Sequence, residues 1–495
     1  MLPQQPEAQT PLESAIDVDQ IKHRSVKGVA ALISRTFAVQ LISFAATFGL
    51  TVFLDPNVYG VFFLVSAVVN FLAYFSDIGL AAALVQKKDK ITDSDLRTTF
   101  TVQQGIVVTL LLLLFIATPF IRTNFHLNSA AIYLMWSLGI SLFLSSLKTI
   151  PSILLERELQ FNKLVIPQIA ETIVFNLVAV FFAWRGYGIT SFTFAVLARG
   201  LTGLVLVYLI FPWKPRFGFS RQSLNTLLKF GLPFQANTFL AVIKDDGMTV
   251  VLGKLVGADG LGYLGWASRW AGLPLRIFMD NVTKVAFPAF SRLQHDKARL
   301  ARAIEMSLKY LTLSTFPILI GMAMFANPLV HLIPRYLKWL PALIPLYFYV
   351  YNSAWACVST SLTNTLNALG KIKTTFKLMV MWVVLTWLFM PALALYRGYL
   401  GVSLAVGLIA TSSIVTVIAV RKHINFSLVE SFKTSFISSI AMFVFLFFTT
   451  RFITNVWHVT ALAISSGLIY LFVVYLLEGK QFIKVSLGYF KSGNA

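Results

Sequence analysis

Apolar residues along this chain come in long runs separated by short polar stretches. Each run reaches about twenty residues or more, the length a helix needs to cross a hydrocarbon layer of roughly 30 Å. Read between turn signals, the runs predict helices near 28–53, 57–84, 97–121, 130–155, 162–184 and 187–212. A second series is predicted near 225–255, 258–290, 304–331, 337–368, 372–396 and 399–420, followed by a pair near 429–450 and 457–477. The expected fold class is all-α and integral to a membrane, with about fourteen transmembrane helices. The expected organisation is a polar tail over 1–27, a first set of helices over 28–212, a linker over 213–224, a second set over 225–420, and a final pair with a tail over 421–495.

The two sets share ordered similarities. Arg185-Gly186-Tyr187 recurs as Arg397-Gly398-Tyr399, with Ser191 and Ala198 aligning to Ser403 and Ala410. Ala117 and Pro119 match Ala326 and Pro328, and Gly60 matches Gly262. A unit of six helices returns the chain to the side it started from. Two copies are therefore expected as parallel six-helix lobes about an axis along the membrane normal, with a cavity between them.

Composition agrees with the pattern. Only 12% of the residues are charged and 57% are hydrophobic, against roughly a quarter charged in an ordinary soluble chain. The net charge of +21 could suggest nucleic acid, but the basic residues fall in alternating short loops instead of one basic face with aromatic partners. With the N-terminus inside, most Lys and Arg lie on one side. Arg122, Arg185, Lys254, Arg335, Lys338, Arg397 and Arg451 are left on the other. That asymmetry predicts cytoplasmic termini and an even number of helices. No removable signal peptide is expected, the first run itself serving for insertion. Cys357 stands alone in an apolar run, which excludes a disulfide or thiolate-metal framework and suits a small buried residue.

Ionisable groups inside membrane helices are costly and face a bundle interior or a wet cavity. In the eighth run Arg269, Arg276, Asp280 and Lys284 are spaced to form one stripe, expected to line an anion-attracting cavity, with Asp280 a turn from both Arg276 and Lys284. Snorkelling is favoured for Lys284 and for Lys148 near its helix end. Arg35 and Arg199 are open between anion contact and structural pairing. Lys244-Asp245-Asp246-Gly247 is a polar break in the seventh run, read as a locally unwound binding or hinge site, or as internal neutralisation of Lys244 by a carboxylate. Glu171 is an isolated proton-carrier candidate or a hydrogen-bonding partner of a neighbouring helix, and Asp77 a helix cap. The six His residues show no ligand spacing, so neither metal nor cofactor is expected.

Leu54-Asp55-Pro56-Asn57-Val58-Tyr59-Gly60 and Phe75-Ser76-Asp77-Ile78-Gly79-Leu80, continuing to Gln86-Lys87-Lys88, resemble the opening of Wzx-type polysaccharide flippases of the teichuronic and colanic acid export kind. Leu155-Glu156-Arg157-Glu158-Leu159-Gln160-Phe161, Phe230-Gly231-Leu232-Pro233-Phe234, Leu261-Gly262-Tyr263 and Phe287-Pro288-Ala289-Phe290-Ser291-Arg292-Leu293-Gln294 resemble later motifs of the same family in order. It belongs to the exporter superfamily that also holds multidrug (MATE) transporters. The resemblance implies a flippase of the plasma (bacterial inner) membrane that turns a polyprenyl-pyrophosphate-linked oligosaccharide outward by alternating access. Membrane lipids and a polysaccharide polymerase or assembly proteins are its implied partners, without nucleic acid. In this reading Arg35, Arg199, Arg269 and Arg276 attract the anionic head group, and Asp245, Asp246, Glu171 or Asp280 couple movement to an ion. The rivals are a small-molecule or drug antiporter driven by protons or sodium and, from another class, a membrane glycosyltransferase or polysaccharide polymerase. Those enzymes need a large outer loop or a carboxylate-bearing first loop, and here little beyond Asp55-Pro56 joins the first two runs. No phosphate-cradling Gly-x-x-x-x-Gly-Lys-Ser/Thr is present for an ATP-driven pump.

Overall fold

A computed structural model describes residues 39–87 and 89–491 of the chain. All regular structure among them is helical: α1 Val39–Phe53, α2 Pro56–Ala73, α3 Leu80–Gln86, α4 Asp93–Asn124, α5 Ser129–Leu147, α6 Thr149–Arg157, α7 Phe161–Trp184 and α8 Thr190–Ile210. The chain continues through α9 Arg221–Val242, α10 Met248–Ala271, α11 Leu273–Leu293, α12 Lys297–Leu332, α13 Leu343–Ala368, α14 Ile372–Thr411, α15 Ile414–Arg421, α16 Leu428–Thr449 and α17 Val456–Lys491. Among the described residues nine helical stretches are long and apolar enough to cross a membrane. Large apolar side chains face outward along them, as at Phe115, Ile116 and Phe120. Hydroxyls turn inward instead, as in the Thr312–Ser435 hydrogen bond of 2.7 Å between α12 and α16. This inverts a soluble protein and is what lipid as solvent demands. The protein is a multi-pass membrane protein.

Three helices carry a turn within their bounds, one of them α17 at Gly479, with φ 63°, ψ −162°. In α10, Gly257 takes φ 70°, ψ −179°, and in α14, Gly398 takes φ 58°, ψ −139°. Only glycine visits such angles cheaply, and the latter two are the boundaries expected between the seventh and eighth and the eleventh and twelfth runs. Gly186, whose motif matches that of Gly398, also has positive φ, at 84°.

Other runs are broken too, the second at the cap expected of Asp77. The second stops at Ala73, passes through a 3-10 turn Tyr74–Ser76 and restarts at Leu80, whose turn Asp77 caps by accepting from Ala81 N–H at 3.0 Å. The fourth divides at Lys148, and the twelfth at Ser412–Ser413. The eighth divides at Gly272, because Pro274 lacks the N–H that would bond back into α10. Cys357 is buried on α13 against the Thr315 hydroxyl.

The first and second halves of the chain meet across α2 and α10. A Cβ at Gly60 would overlap the carbonyl of Ala258, and one at Gly262 that of Pro56, so these backbones touch. Beside them, on the face poor in Lys and Arg, the Trp339 indole donates to Thr51 O at 2.8 Å and Tyr336 shares a 2.9 Å hydrogen bond with the Thr51 hydroxyl. Lys338 donates to Val52 O at 2.9 Å and reaches Asp55 at 3.3 Å. Burial pulls its ammonium below the usual lysine range, with Asp55 opposing that shift.

On the basic face Gly79 and Gly231 touch through their backbones, and Gln235 Nε2 donates to Tyr74 O at 2.6 Å. Arg157 holds the connection after α3, donating to the carbonyls of Leu84 at 2.9 Å and Asp89 at 2.8 Å. The arginine of the motif after the fourth run is thus a clamp for the loop after the second.

Candidate functional site

A cavity of about 250 Å³ lies where α1, α2, α7, α8 and α10 converge. Arg199 enters it from α8 and Arg269 from α10. Both guanidiniums remain accessible to solvent although they stand at the depth of apolar helices. Arg269 donates through Nε and Nη2 to the Thr47 hydroxyl on α1, at 3.3 and 3.1 Å. Among the described residues that neutral hydroxyl is its hydrogen-bond partner, and no carboxylate pairs with it. Tyr59 lines the same cavity, and its hydroxyl is buried with no hydrogen-bond partner among the described residues. Asn176 donates to Ser43 at 3.3 Å on the opposite wall. Two cations and an idle hydroxyl are the donor set that an oxyanion with several oxygens requires.

Behind Arg199 sits an ion-pair cluster. Glu171 of α7 is buried, takes Lys148 Nζ on Oε1, and has Arg199 Nε 3.6 Å from Oε2. Lys148 therefore does not snorkel. It turns inward because Glu171 supplies the counter-charge that lipid cannot. Glu171 is correspondingly not isolated but pairs with two neighbouring helices. Gly203 makes the space: a Cβ there would overlap the Glu171 carboxylate.

A second cavity, of about 220 Å³, opens beyond Phe63, which lines both. Its polar lining is Ser66 and Asn70 of α2, Asp246, Thr249 and Ser268. The segment Ile243–Gly247 between α9 and α10 is one π-helical turn, not the unwound stretch expected. Asp246 faces this cavity together with Asn70, while Asp245 is exposed and pairs with Lys244. Such turns recur at functional positions.

The expected four-residue stripe is not continuous. The break at Gly272 puts Arg269 on α10 and Arg276 on α11. Arg276 is exposed, and does not line the cavity of Arg269. Asp280 and Lys284 follow on α11, their side chains outside the described set, and Arg35 lies outside the described residues. Reading the sequence missed Thr47, Tyr59, Asn176, Asn70 and Gly203. The one available signal was a polar residue inside an apolar run.

A family model described as "Polysaccharide biosynthesis protein" matches residues 50–342. The chain is 26% identical to the succinoglycan biosynthesis transport protein ExoT of Rhizobium meliloti, over 60% of this chain and 62% of the relative. It is 26% identical to the teichuronic acid biosynthesis protein TuaB of Bacillus subtilis over 54% of this chain and 55% of the relative. The matches thus span little more than half the length of these two relatives. The lipopolysaccharide biosynthesis protein WzxC of Escherichia coli is 22% identical over 71% of each chain. In fold the chain is similar to the lipid II flippase MurJ in its inward closed conformation, with a TM-score of 0.72 and 18% identity over 91% of this chain and 100% of that one. An inward-facing multidrug MATE transporter gives 0.59 at 13% identity, over 77% and 94%.

Proposed function

The chain belongs to the polysaccharide biosynthesis protein family, and from that premise we propose that it carries a polyprenyl-pyrophosphate-linked oligosaccharide, a polysaccharide precursor, across the plasma membrane by alternating access. One observation carries the reading. Arg199 and Arg269, from the two halves of the chain, face one wet cavity without carboxylates of their own to neutralise both. A pyrophosphate oxyanion fits that deficit, and guanidiniums bind it through paired, charge-assisted hydrogen bonds. Arg35 and Arg276 join them when the halves move. The halves are two lobes of six helices over 28–212 and 225–420, joined by 213–224 and followed by a further pair. Both termini lie in the cytoplasm, on the basic face.

Movement couples to a cation through Asp246. It lies on a wide turn where α9 meets α10 and lines one cavity with Asn70 of the other lobe, so occupancy by a proton or metal cation acts where the lobes meet. Glu171 holds Arg199 in place instead, Asp245 is already neutralised by Lys244, and Asp280 remains a candidate on α11.

The test replaces Arg199 and Arg269 with Ala in a strain lacking the native copy. Lipid-linked glycan is expected to accumulate inside and surface polysaccharide to fall more than tenfold, with the protein still folded in the membrane. Normal export removes the reading, and an unchanged glycan pool in the deletion strain itself points to a small-molecule antiporter.

A further inference from the structure

Beside the cationic cavity is an apolar one of about 350 Å³, within the range of roughly 300–1,000 Å³ typical of small-molecule sites. α1 and α10 serve both. Ser43, Thr47 and Arg269 line the cationic space, while Phe44, Phe48, Trp266 and Trp270, the adjacent positions on the same two helices, line the apolar one. α12 closes the far wall with residues that include Ala326 and Leu329, and no charged side chain lines it. The seam between the two spaces is held by the Arg269–Thr47 hydrogen bonds and by Phe44 and Trp270 packed edge to face at 5.3 Å. The Trp270 indole N–H at this seam is buried with no partner among the described residues.

We propose that this aromatic cavity is a subsite for the first isoprene units of the carrier lipid, the ones bonded directly to its phosphate. The inference rests on the anion reading above and adds to it. If the phosphates sit between Arg199 and Arg269 inside the protein, the carbons attached to them cannot remain in the bilayer. They must cross protein, and any stretch left in the wet cavity exposes hydrocarbon to water. An apolar wall one residue away from the anion-binding side chains removes that cost. The idle Trp270 N–H then meets a phosphate ester oxygen where the chain passes from one space to the other. The distal part of the lipid stays in the membrane.

The experiment compares two soluble probes, inorganic pyrophosphate and farnesyl pyrophosphate, on the purified full chain in one zwitterionic detergent. Farnesyl pyrophosphate is expected to bind at least tenfold more tightly. Ala326→Trp, which fills the apolar cavity, is expected to cut that ratio to within twofold while leaving pyrophosphate binding unchanged. A ratio near one in the native chain, or one that survives Ala326→Trp, overturns the subsite and leaves the anion reading standing. Failure of both probes to bind overturns the anion reading and the subsite with it. Should Ala326→Trp fail to fold, a photoreactive prenyl pyrophosphate decides on the native chain. Its label is expected on peptides holding Phe44–Phe48 or Trp266–Trp270, and must be displaced by farnesyl pyrophosphate. Label elsewhere, or label displaced equally well by phosphatidylglycerol, marks a general acyl-chain groove and overturns the proposal.

Discussion

Gly203 leaves a gap into which the Glu171 carboxylate fits between Lys148 and Arg199. Gly203→Ala drives a methyl into that carboxylate and is expected to destabilise the protein by about 1–3 kcal/mol, the usual cost of overpacking. A lower unfolding temperature in detergent checks it. Glu171→Gln leaves two cations facing a neutral amide. Breaking a buried pair costs about 3–5 kcal/mol, and partial exposure of Lys148 and Arg199 puts the expected loss at or below the lower end of that range. Thermal unfolding of Glu171→Gln beside the double variant Lys148→Met/Glu171→Leu is the measurement; the double variant is expected to be the more stable of the two. Arg199 and Arg269 were legible in the sequence because a guanidinium in an apolar run is conspicuous. Gly203, Tyr59 and Thr47 were not, because each matters only through a partner brought by a distant helix.

The helices themselves were legible where their ends are written as glycine turns, as at Gly257 and Gly398, whereas the capping box of Thr92 and Asp95 starts α4 at Asp93, ahead of the start expected near 97. The interruptions at Lys148 and Gly272 were hidden, since a window of hydropathy does not register one turn lost to an ion pair or a missing N–H. The stripe that joined Arg269 to Arg276 failed for this reason. At Ile243–Gly247 the break itself was legible but its form was not: within one π-helical turn Asp246 faces inward and Asp245 outward. Asp246→Asn is therefore expected to make transport in proteoliposomes insensitive to an imposed cation gradient, while Asp245→Asn keeps it within twofold. An equal loss in both variants would return the coupling role to either carboxylate.

At the scale of the whole molecule, the charge-poor face is shut by α2 against α10 and by the Tyr336–Trp339 segment against the end of α1. Gly262→Leu holds α2 and α10 apart. It is expected to lower export more than tenfold and to raise labelling of Thr47→Cys by a bulky, membrane-impermeant thiol reagent added from that face. Unchanged labelling would show that the contact at Gly262 is not part of the closure. The all-helical, multi-pass character was legible because long apolar runs and a scarcity of charge constrain it together. Which surfaces touch was not, since backbone contacts such as Gly60 on Ala258 leave no compositional trace.

The segment from Gly60 to Gly79 meets the other half of the chain near both of its ends, at Ala258 and at Gly231. The 3-10 turn at Tyr74–Ser76 lies between the two anchors, so the stretch bends there and one contact is free to part while the other stays closed. An energised membrane tolerates a carrier of this size only if no unbroken column of water ever threads it. Two backbone seals at separate heights on one hinged stretch meet that demand, because water is stopped at one of them while the other opens.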